Sequence, residues 1–351
     1  MIIDDLLLEK CIGKGAFGEV YLTSKKGDES KKFATKKWER EEIDGQEALK
    51  FYLTNEINIL KILNHPNIVK FDSIKKTKKH YFIVIEYCNG GELSKILEKY
   101  KERYGHPFTQ EIVQHFMRQI IGAFNYMHEK KITHKDINLE NILINFESEK
   151  DKEDLNLMKA NVKIIGFGFS TYGSPTIAKV DAIQNKKITL HPIAFEKLKS
   201  SGQKKVTLDH EQKDDIWSLG NICYEMIIGR PAFDGENKEE IIKKIQEGAY
   251  TVPTNLSKEL ISFIYGMLIF DPSYRLSSKQ LLKHPFITNE IKEFHLIDLK
   301  QIEEEIVNNE LKININKIKT IWYNFNFDNE EKLVNVDSKK QEENKPILPS
   351  Q

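Results

Sequence analysis

The chain has 351 residues, enough for one large domain or two modest ones. Hydrophobic residues make up 40% and charged residues 30% of the sequence, which is the balance of a soluble globular protein. Because Lys+Arg and Asp+Glu both number 53, the net charge gives no reason to expect a nucleic acid or a membrane as partner. We therefore expect a cytoplasmic protein that binds neither.

The sequence also shows no targeting segment and no cysteine cluster. Residues 1–5 lack the basic start of a signal peptide, so none is expected. The longest apolar run, residues 260–270, is too short to span a bilayer and predicts a buried helix. Three cysteines lie far apart, without metal-ligand spacing, and fit a reducing compartment: Cys11, Cys88 and Cys223.

A glycine-rich segment follows the first predicted strand, residues 8–12. It places Gly13, Gly15 and Gly18 where a hairpin could lie close over phosphate oxygens and offer them its backbone N–H groups. A plain glycine turn explains the same spacing equally well. Val20 belongs to a second strand, and a strand after the loop, rather than a helix, argues against a dinucleotide-binding fold.

The next strand carries two neighbouring lysines. Alternation along the strand puts Ala34 and Lys36 on one face and Lys37 on the other. A shift of one residue in register would exchange the two lysines, so Lys37 stays an alternative to the preferred Lys36. A predicted helix at residues 53–63 then carries Glu56, although a glutamate on a helix is most often simply solvated.

Two short segments in the middle of the chain carry the groups best suited to chemistry. The first, residues 134–141, places Asp136 five positions before Asn141. An Asp that accepts a hydroxyl proton and an Asn that ligates a hard cation suit phosphoryl transfer. The second, Gly166-Phe167-Gly168, follows an apolar stretch at residues 162–165.

Taken together, these segments resemble the eukaryotic protein kinases of serine/threonine type. Residues 134–141 are similar to the catalytic loop His-Arg-Asp-x-x-x-x-Asn, and residues 166–168 are similar to the metal-binding motif Asp-Phe-Gly. The resemblance covers residues 8–288 and implies an α+β bilobal protein-kinase fold. It places a small antiparallel-sheet N-lobe with one helix at residues 8–87 and a larger, mainly helical C-lobe at residues 88–288.

The resemblance also implies an ATP site. Asp136 would be the catalytic base, and Lys36 would bind the phosphates while paired with Glu56. Adenine would be bound by the backbone of Glu86 and Cys88, next to the gatekeeper Ile85. The other nucleotide contacts would come from the glycine loop and from apolar residues around the base: Ile12, Gly13, Gly15, Gly18, Val20, Ala34 and Leu143.

Gly166 is the gravest departure from the family pattern. It stands where the family has its magnesium-binding Asp, and glycine offers no oxygen ligand, which leaves the neutral Asn141 as a weak metal ligand. Loss of that carboxylate should slow transfer roughly a hundredfold or more. Lys135 replaces an Arg that pairs with an activation-loop phosphate, and Asn138 replaces a Lys that contacts the transferring phosphate.

The segment at residues 189–196 lacks the prolines and the tyrosine that shape the family's peptide platform. Structural anchors are retained instead, among them a predicted ion pair of Glu196 with Arg275 and the helix that begins near Asp215. This combination is typical of a pseudokinase.

Three functions stay open after this reading. The first is a pseudokinase that binds ATP, with magnesium binding weakened, and acts through a protein partner. The second is a slow but active kinase for protein Ser/Thr, with Asp136 as base and Asn141 holding a metal. The third is a scaffold that binds no nucleotide.

The remaining segments flank or interrupt the kinase-like region. Residues 147–154 are predicted to be a solvated, highly charged insertion. Residues 289–336 are predicted to be a helical extension that docks on the large lobe or binds a partner, and residues 337–351 are predicted to be disordered. The candidate docking positions in the extension are Leu299, Ile302, Ile306, Leu311, Ile318 and Trp322.

Overall fold

The structure is a computed structural model that describes residues 2–15, 18–173, 207–253, 255–289, 306–307 and 310–314. The predictions for the segment 189–196, for Glu196 and for residues 337–351 lie outside these ranges. Within them the chain forms two lobes, a small one built on a sheet and a large one built mainly of helices. The predicted α+β bilobal fold is confirmed.

The small lobe is a six-stranded antiparallel sheet with the order β1-β2-β3-β4-β6-β5. Its strands are β1 (Ile2–Ile3), β2 (Leu6–Gly15), β3 (Gly18–Lys25), β4 (Asp28–Glu39), β5 (Phe71–Lys76) and β6 (His80–Glu86). Consecutive hairpins bring the glycine loop, at the β2–β3 turn, next to the strand that carries Lys36, because β3 pairs with β4.

Two helices lie between β4 and β5, where the resemblance implied one. They are the short α1 (Arg40–Gly45) and the long α2 (Glu47–Ile62). Helix α2 begins several residues earlier than predicted. Its buried residues recur at helical spacing, so one face of the helix is covered between residues 52 and 60: Tyr52, Leu53, Glu56, Ile57, Ile59 and Leu60.

The large lobe is built around two long helices, α4 (Gln110–Glu129) and α6 (Leu208–Ile228). Thr109 precedes α4, and its side chain makes no capping hydrogen bond. The other helices are α3 (Leu93–Tyr104), α5 (Glu149–Glu153), α7 (Lys238–Glu247), α8 (Lys258–Met267), α9 (Ser278–Leu282) and α10 (Pro285–Thr288). Helix α8 is the buried helix predicted at residues 260–270, and Ser257 caps it by accepting a hydrogen bond from the Leu260 N–H.

Short strands join these helices and carry the central segments. They are β7 (Gly91–Glu92), β8 (Ile132–Thr133), β9 (Ile142–Phe146), β10 (Ala160–Ile164), β11 (Thr171–Tyr172) and β12 (Ala249–Pro253). Strands β10, β9 and β7 form one sheet, and β8 pairs with β11 in a two-stranded ribbon. Single 3-10 turns lie at Leu139–Asn141, Leu157–Lys159 and Phe167–Phe169. The ends of β8, β9 and β10 thus bring residues 134–141 and 166–168 together.

The core of the large lobe is continuous from α2 to α10. Along α4 the inward positions are completely buried, among them Phe116, Ile120 and Phe124. On α6, Trp217 stacks on Phe233 with ring centroids 5.6 Å apart. This apolar packing gives residues 134–141 and 166–168 a rigid floor.

The C-terminal extension contains two strands in its described part, β13 (Ile306–Val307) and β14 (Glu310–Asn314). They form a sheet with the order β12-β14-β13 on the large lobe. The helix predicted across residues 289–336 is therefore wrong at these positions. Apolar and polar residues alternate along Glu310–Asn314, and an open strand of the large lobe supplies backbone partners for this strand-like pattern.

The charged insertion at residues 147–154 contains α5, which Ser148 caps by accepting a hydrogen bond from the Asp151 N–H. Most of its residues are exposed, as expected for a solvated insertion. Within the described ranges, no helix is both long enough and apolar enough to cross a membrane.

Candidate active site

Lys36 lies on the face of β4 that meets helix α2. Its Nζ is 3.2 Å from Oε2 of Glu56, and both side chains are largely buried, at 21% and 9% exposed. Lys37 points to the other face and forms an ion pair with Glu39 at 3.4 Å. Of the two lysines, Lys36 is thus the one that pairs with Glu56 in this register.

Aromatic rings complete the surroundings of the Lys36 ammonium. Its Nζ lies 4.5 Å from the ring centroid of Trp38, the next residue on the same face of β4. The ring of Tyr52, on α2, lies 5.7 Å away. A cation held between a carboxylate and two aromatic rings loses side-chain freedom. Side chains of the protein itself thus fix the position of the ammonium.

The glycine hairpin approaches β4 closely. Gly18 has a φ of +149°, and a Cβ on it would lie 2.1 Å from the carbonyl oxygen of Lys37. Only glycine fits there, so the third glycine of the motif serves backbone packing as well as loop shape. Gly13 and Gly15 lie on the opposing strand, where Gly15 faces Gly18 across the hairpin.

The residues expected around adenine lie on neighbouring strands. Ala34 is buried on β4 and pairs with Ile85 on β6. Val20 lies opposite Lys36 on β3, and Leu143 is half-buried on β9, in the other lobe. Ile12 is 40% exposed, on the strand that enters the glycine loop.

The segment after Ile85 links the two lobes, and a backbone hydrogen bond and an ion pair hold it in place. The Glu86 N–H donates to the Lys70 carbonyl at 2.9 Å, and the Glu86 carboxylate pairs with Lys163 at 2.7 Å. Cys88 is buried, and burial raises the pKa of its thiol to about 12. Its side chain is therefore an inert neutral group at this link.

Asn141 holds the predicted catalytic loop together. Its Nδ2 donates to the Asp136 carbonyl at 2.7 Å and to the Asp136 carboxylate at 3.2 Å. Asn138 caps the turn between them, because its Oδ1 accepts from the N–H groups of Glu140 at 2.9 Å and Asn141 at 3.1 Å. The Asn138 side chain is thus engaged with the backbone of its own loop, a use that short amides make well.

A buried carboxylate on α6 supports the loop from below. Asp215 accepts from the backbone N–H groups of His134 and Lys135, each at 2.9 Å, and bonds His128 at 3.1 Å. Burial alone raises the pKa of Asp215, but the hydrogen bond and charge of His128, with smaller contributions from His134 and the Lys135 N–H, outweigh it and lower the pKa. The carboxylate therefore stays ionised as the anchor of the loop.

Lys135 binds a carboxylate within the structure. Its Nζ is 2.5 Å from Oε1 of Glu211, and the two side chains are 12% and 4% exposed. The other oxygen of Glu211 accepts a hydrogen bond from the Thr171 hydroxyl at 2.8 Å. Thr171 in turn lies 2.6 Å from the Thr133 hydroxyl across the β8–β11 ribbon. This buried group ties the segment after residues 166–168 to the catalytic loop and to α6.

Gly166 leaves no room for a side chain. Its φ is +87°, and a Cβ on it would lie 2.8 Å from Oδ1 of Asn141. Asn141 thus occupies the space into which a carboxylate at position 166 would extend. The remaining oxygen donors are the Asn141 amide and Asp136, and no group of three His, Cys, Asp or Glu residues suited to a metal lies within the described ranges. This donor set does not fit a protein-held magnesium ion.

Two residues of the small lobe contact residues 166–170 and were not identified from the sequence. Asn55 of α2 donates to the backbone carbonyls of Gly168 and Ser170, and the ring of Tyr52 packs on Gly168. The spacing of Tyr52, Asn55 and Glu56 (i, i+3, i+4) places them on one helix face and was readable from the sequence. The segment that they contact lies more than a hundred positions further along the chain, and the sequence did not indicate this contact.

Comparison with known proteins agrees with this geometry. Residues 7–287 match the protein kinase domain. The chain belongs to the protein kinase family. Among its curated relatives, the probable serine/threonine-protein kinase MARK-A of Dictyostelium discoideum is 30% identical over 288 residues, which are 82% of this chain and 24% of that protein.

Two further relatives carry the same type of name. A second probable serine/threonine-protein kinase of Dictyostelium discoideum is 27% identical, over 90% of this chain and 36% of its own. Calcium-dependent protein kinase 4 of Plasmodium berghei is 31% identical, over 85% of this chain and 52% of its own. The chain thus spans between a quarter and about half of these relatives, and it belongs with kinases of the serine/threonine type.

Proposed function

We propose that this protein is a pseudokinase of the serine/threonine type, which binds ATP without needing magnesium and acts through a protein partner. The observation that carries this proposal is at Gly166. The metal-binding carboxylate is missing, and the side chain of Asn141 has its oxygen where that carboxylate would begin. Protein kinases as a family use ATP with magnesium, so a site without the second carboxylate retains binding better than transfer.

The ATP half of the proposal rests on the small lobe. Lys36 is held by Glu56 in the strand that faces the glycine hairpin, and its ammonium is the cation that would bind the phosphates. Ala34, Ile85 and Leu143 would contact the base, while the backbone of Glu86 and Cys88 would bind its polar edge. ATP would supply the negative charge that this ammonium is placed to receive.

A second candidate, a slow protein Ser/Thr kinase, is favoured by the ordered state of Asp136. Its backbone and carboxylate are both bonded by Asn141, so the residue that would take the proton from a substrate hydroxyl is already positioned. Slow but measurable phosphate transfer to a protein by the wild-type chain would establish this candidate, and transfer at ordinary rates would refute the pseudokinase.

Thermal unfolding with ATP, with and without magnesium, tests the proposal. Ligand at a hundredfold excess over its Kd stabilises the native state by about 2.7 kcal/mol, so the midpoint must rise. We expect a rise that does not require magnesium. A rise only with magnesium would favour the slow kinase, and no rise at saturating ATP would leave a scaffold that binds no nucleotide.

A matched pair of variants localises the binding. Lys36→Gln should abolish most of the rise with ATP, because it removes the ammonium at the phosphates. Lys37→Gln, one position along and on the opposite face of β4, should leave the rise unchanged. Equal effects of the two variants would contradict the assignment of Lys36.

A further inference from the structure

The face of α2 that carries Glu56 is fastened to the segment 166–170 at three points. The first is the carboxamide of Asn55, whose Nδ2 lies 2.7 Å from the Ser170 carbonyl, 3.0 Å from the Gly168 carbonyl and 3.4 Å from the Phe167 carbonyl. An amide nitrogen carries two hydrogens, so the two shorter contacts are the hydrogen bonds. Three carbonyls around one group also settle its orientation, since the amide oxygen would be repelled there.

The second point is an aromatic contact. A Cβ on Gly168 would lie 2.0 Å from the ring of Tyr52, so the ring rests directly on the backbone of that glycine. The same ring meets Phe169 edge-on, with centroids 4.9 Å apart, and faces the Lys36 ammonium at 5.7 Å. One aromatic side chain therefore touches both the segment and the ammonium.

The third point is the core of the small lobe. Phe169 belongs to a buried cluster there with Trp38, Ile57 and Ile83. The segment is thus packed into the small lobe as well as hydrogen-bonded to it. Since α2 carries Glu56 one residue after Asn55, moving α2 away from the segment would pull Glu56 away from Lys36.

We propose that Asn55 and Tyr52 are positioning residues that clamp α2 to residues 166–170 and so hold the Lys36–Glu56 pair ready for a triphosphate in the empty protein. This rests on the proposed function, because it concerns how the same site binds ATP. ATP then binds without a prior rearrangement of the protein, so its affinity is not reduced by a low population of the binding-competent conformation.

The test compares two isosteric changes on the same helix. Asn55→Asp replaces the donating amide by a carboxylate oxygen that repels the three carbonyls. Asn58→Asp makes the same chemical change and adds the same charge on the exposed side of α2. Calorimetric titration with ATP and with adenosine separates the roles, because adenosine has no phosphate for Lys36 to bind.

We expect Asn55→Asp to raise the Kd for ATP about tenfold while the Kd for adenosine stays within about twofold. Asn58→Asp should change neither. An unchanged ratio of the two Kd values in Asn55→Asp would overturn the clamp. If that variant does not unfold cooperatively, Asn55→Ser, which removes the donor without adding charge, takes its place.

A double-variant cycle distinguishes positioning from general destabilisation. Glu56→Gln breaks the ion pair directly, so adding Asn55→Asp to it should weaken ATP binding no further. Additive losses would show that Asn55 acts independently of the pair and would refute the proposal.

Amide hydrogen exchange of the nucleotide-free chains separates the clamp from the proposed function. Asn55→Asp should speed exchange both in α2 and at residues 167–171, and Asn58→Asp should not. Wild-type protein that binds neither ATP nor adenosine would end the proposed function and, with it, the role assigned to the clamp. Slow exchange in both segments of Asn55→Asp would refute the clamp whatever the nucleotide does.

Discussion

At the scale of single residues, the site is characterised by the close contact between Gly166 and the side chain of Asn141. Asn141 both fills the space beside Gly166 and donates two hydrogen bonds to Asp136. A left-handed backbone such as that of Gly166, with φ +87°, is tolerated by Asp and Asn better than by other residues. A carboxylate introduced at position 166 would thus be opposed by the side chain of Asn141 more than by the backbone conformation.

Gly166→Asp is therefore expected to lower stability while raising transfer. Turning Asn141 away sacrifices two hydrogen bonds, which lowers the free energy of unfolding by about 1–2 kcal/mol. The regained metal ligand should raise phosphate transfer about a hundredfold. Urea unfolding measures the first effect, and transfer from labelled ATP to a generic protein substrate measures the second.

Gly166→Asn is the matched control, because it has the same shape without the charge. It should lose the same stability and gain no activity. If both variants transfer phosphate equally, the carboxylate is not what the site lacks.

At the scale of secondary-structure elements, the β8–β11 ribbon is fixed to α6 by a buried charge. Lys135 and Glu211 are almost completely enclosed, and the two threonines of the ribbon share the carboxylate. Breaking a buried pair from one side leaves an uncompensated charge, which costs far more than losing an exposed pair. The Lys135–Glu211 pair and the two threonines thereby hold the start of the segment after Gly168.

Glu211→Gln should lower the free energy of unfolding by about 3 kcal/mol. Changing Lys135 to Gln as well should recover at least half of that loss, since no lone ammonium then stays buried. Glu240→Gln, which breaks an exposed pair with Lys244 on α7, is the control and should cost less than about 0.5 kcal/mol. A loss in Glu211→Gln no larger than in this control would contradict the proposed fixing of the ribbon.

How well the sequence predicted a feature depends on how far apart in the chain its residues lie. Motifs within one strand or loop were readable from the sequence, and their resemblance to protein kinases implied the fold and the pair of Lys36 with Glu56. Contacts between distant segments were not, which is why Asn55, Tyr52 and Glu211 went unnoticed. The tail was predicted to be helical from its composition, but a strand on the large lobe offers backbone partners that composition does not reveal.

At the scale of the whole molecule, stability in acid depends on a buried histidine. His284 is completely buried at the start of α10, where its Nδ1 accepts a hydrogen bond from the Phe286 N–H. Burial lowers the pKa of His284 from 6.5 to about 3. The unfolded chain therefore binds a proton at a higher pH than the folded chain does. This histidine leaves stability unchanged above pH 6.5, and it lowers the free energy of unfolding as the pH falls from 6.5 toward 3.

His284→Asn keeps an acceptor for the helix start and removes the titrating group. Between pH 6 and pH 4 the free energy of unfolding of the wild type should fall by about 1.4 kcal/mol per pH unit more than that of the variant. Above about pH 7.5 the two profiles should run parallel. Urea unfolding across this range measures both slopes, and equal slopes below pH 6 would show that His284 accepts a proton in the folded protein.

The pairing of the tail with the large lobe has a consequence for association. Strand β14 covers one side of β12 over Ala249–Pro253, and on α6 the Tyr224 hydroxyl donates to the Thr251 carbonyl. On the side away from β12, the described sheet then ends in β13, which is two residues long. A long open strand invites pairing with a second chain, and a very short one offers it little backbone to bind. Residues 306–307 and 310–314 thus shorten the open strand that this side of β12 would otherwise present to a second chain.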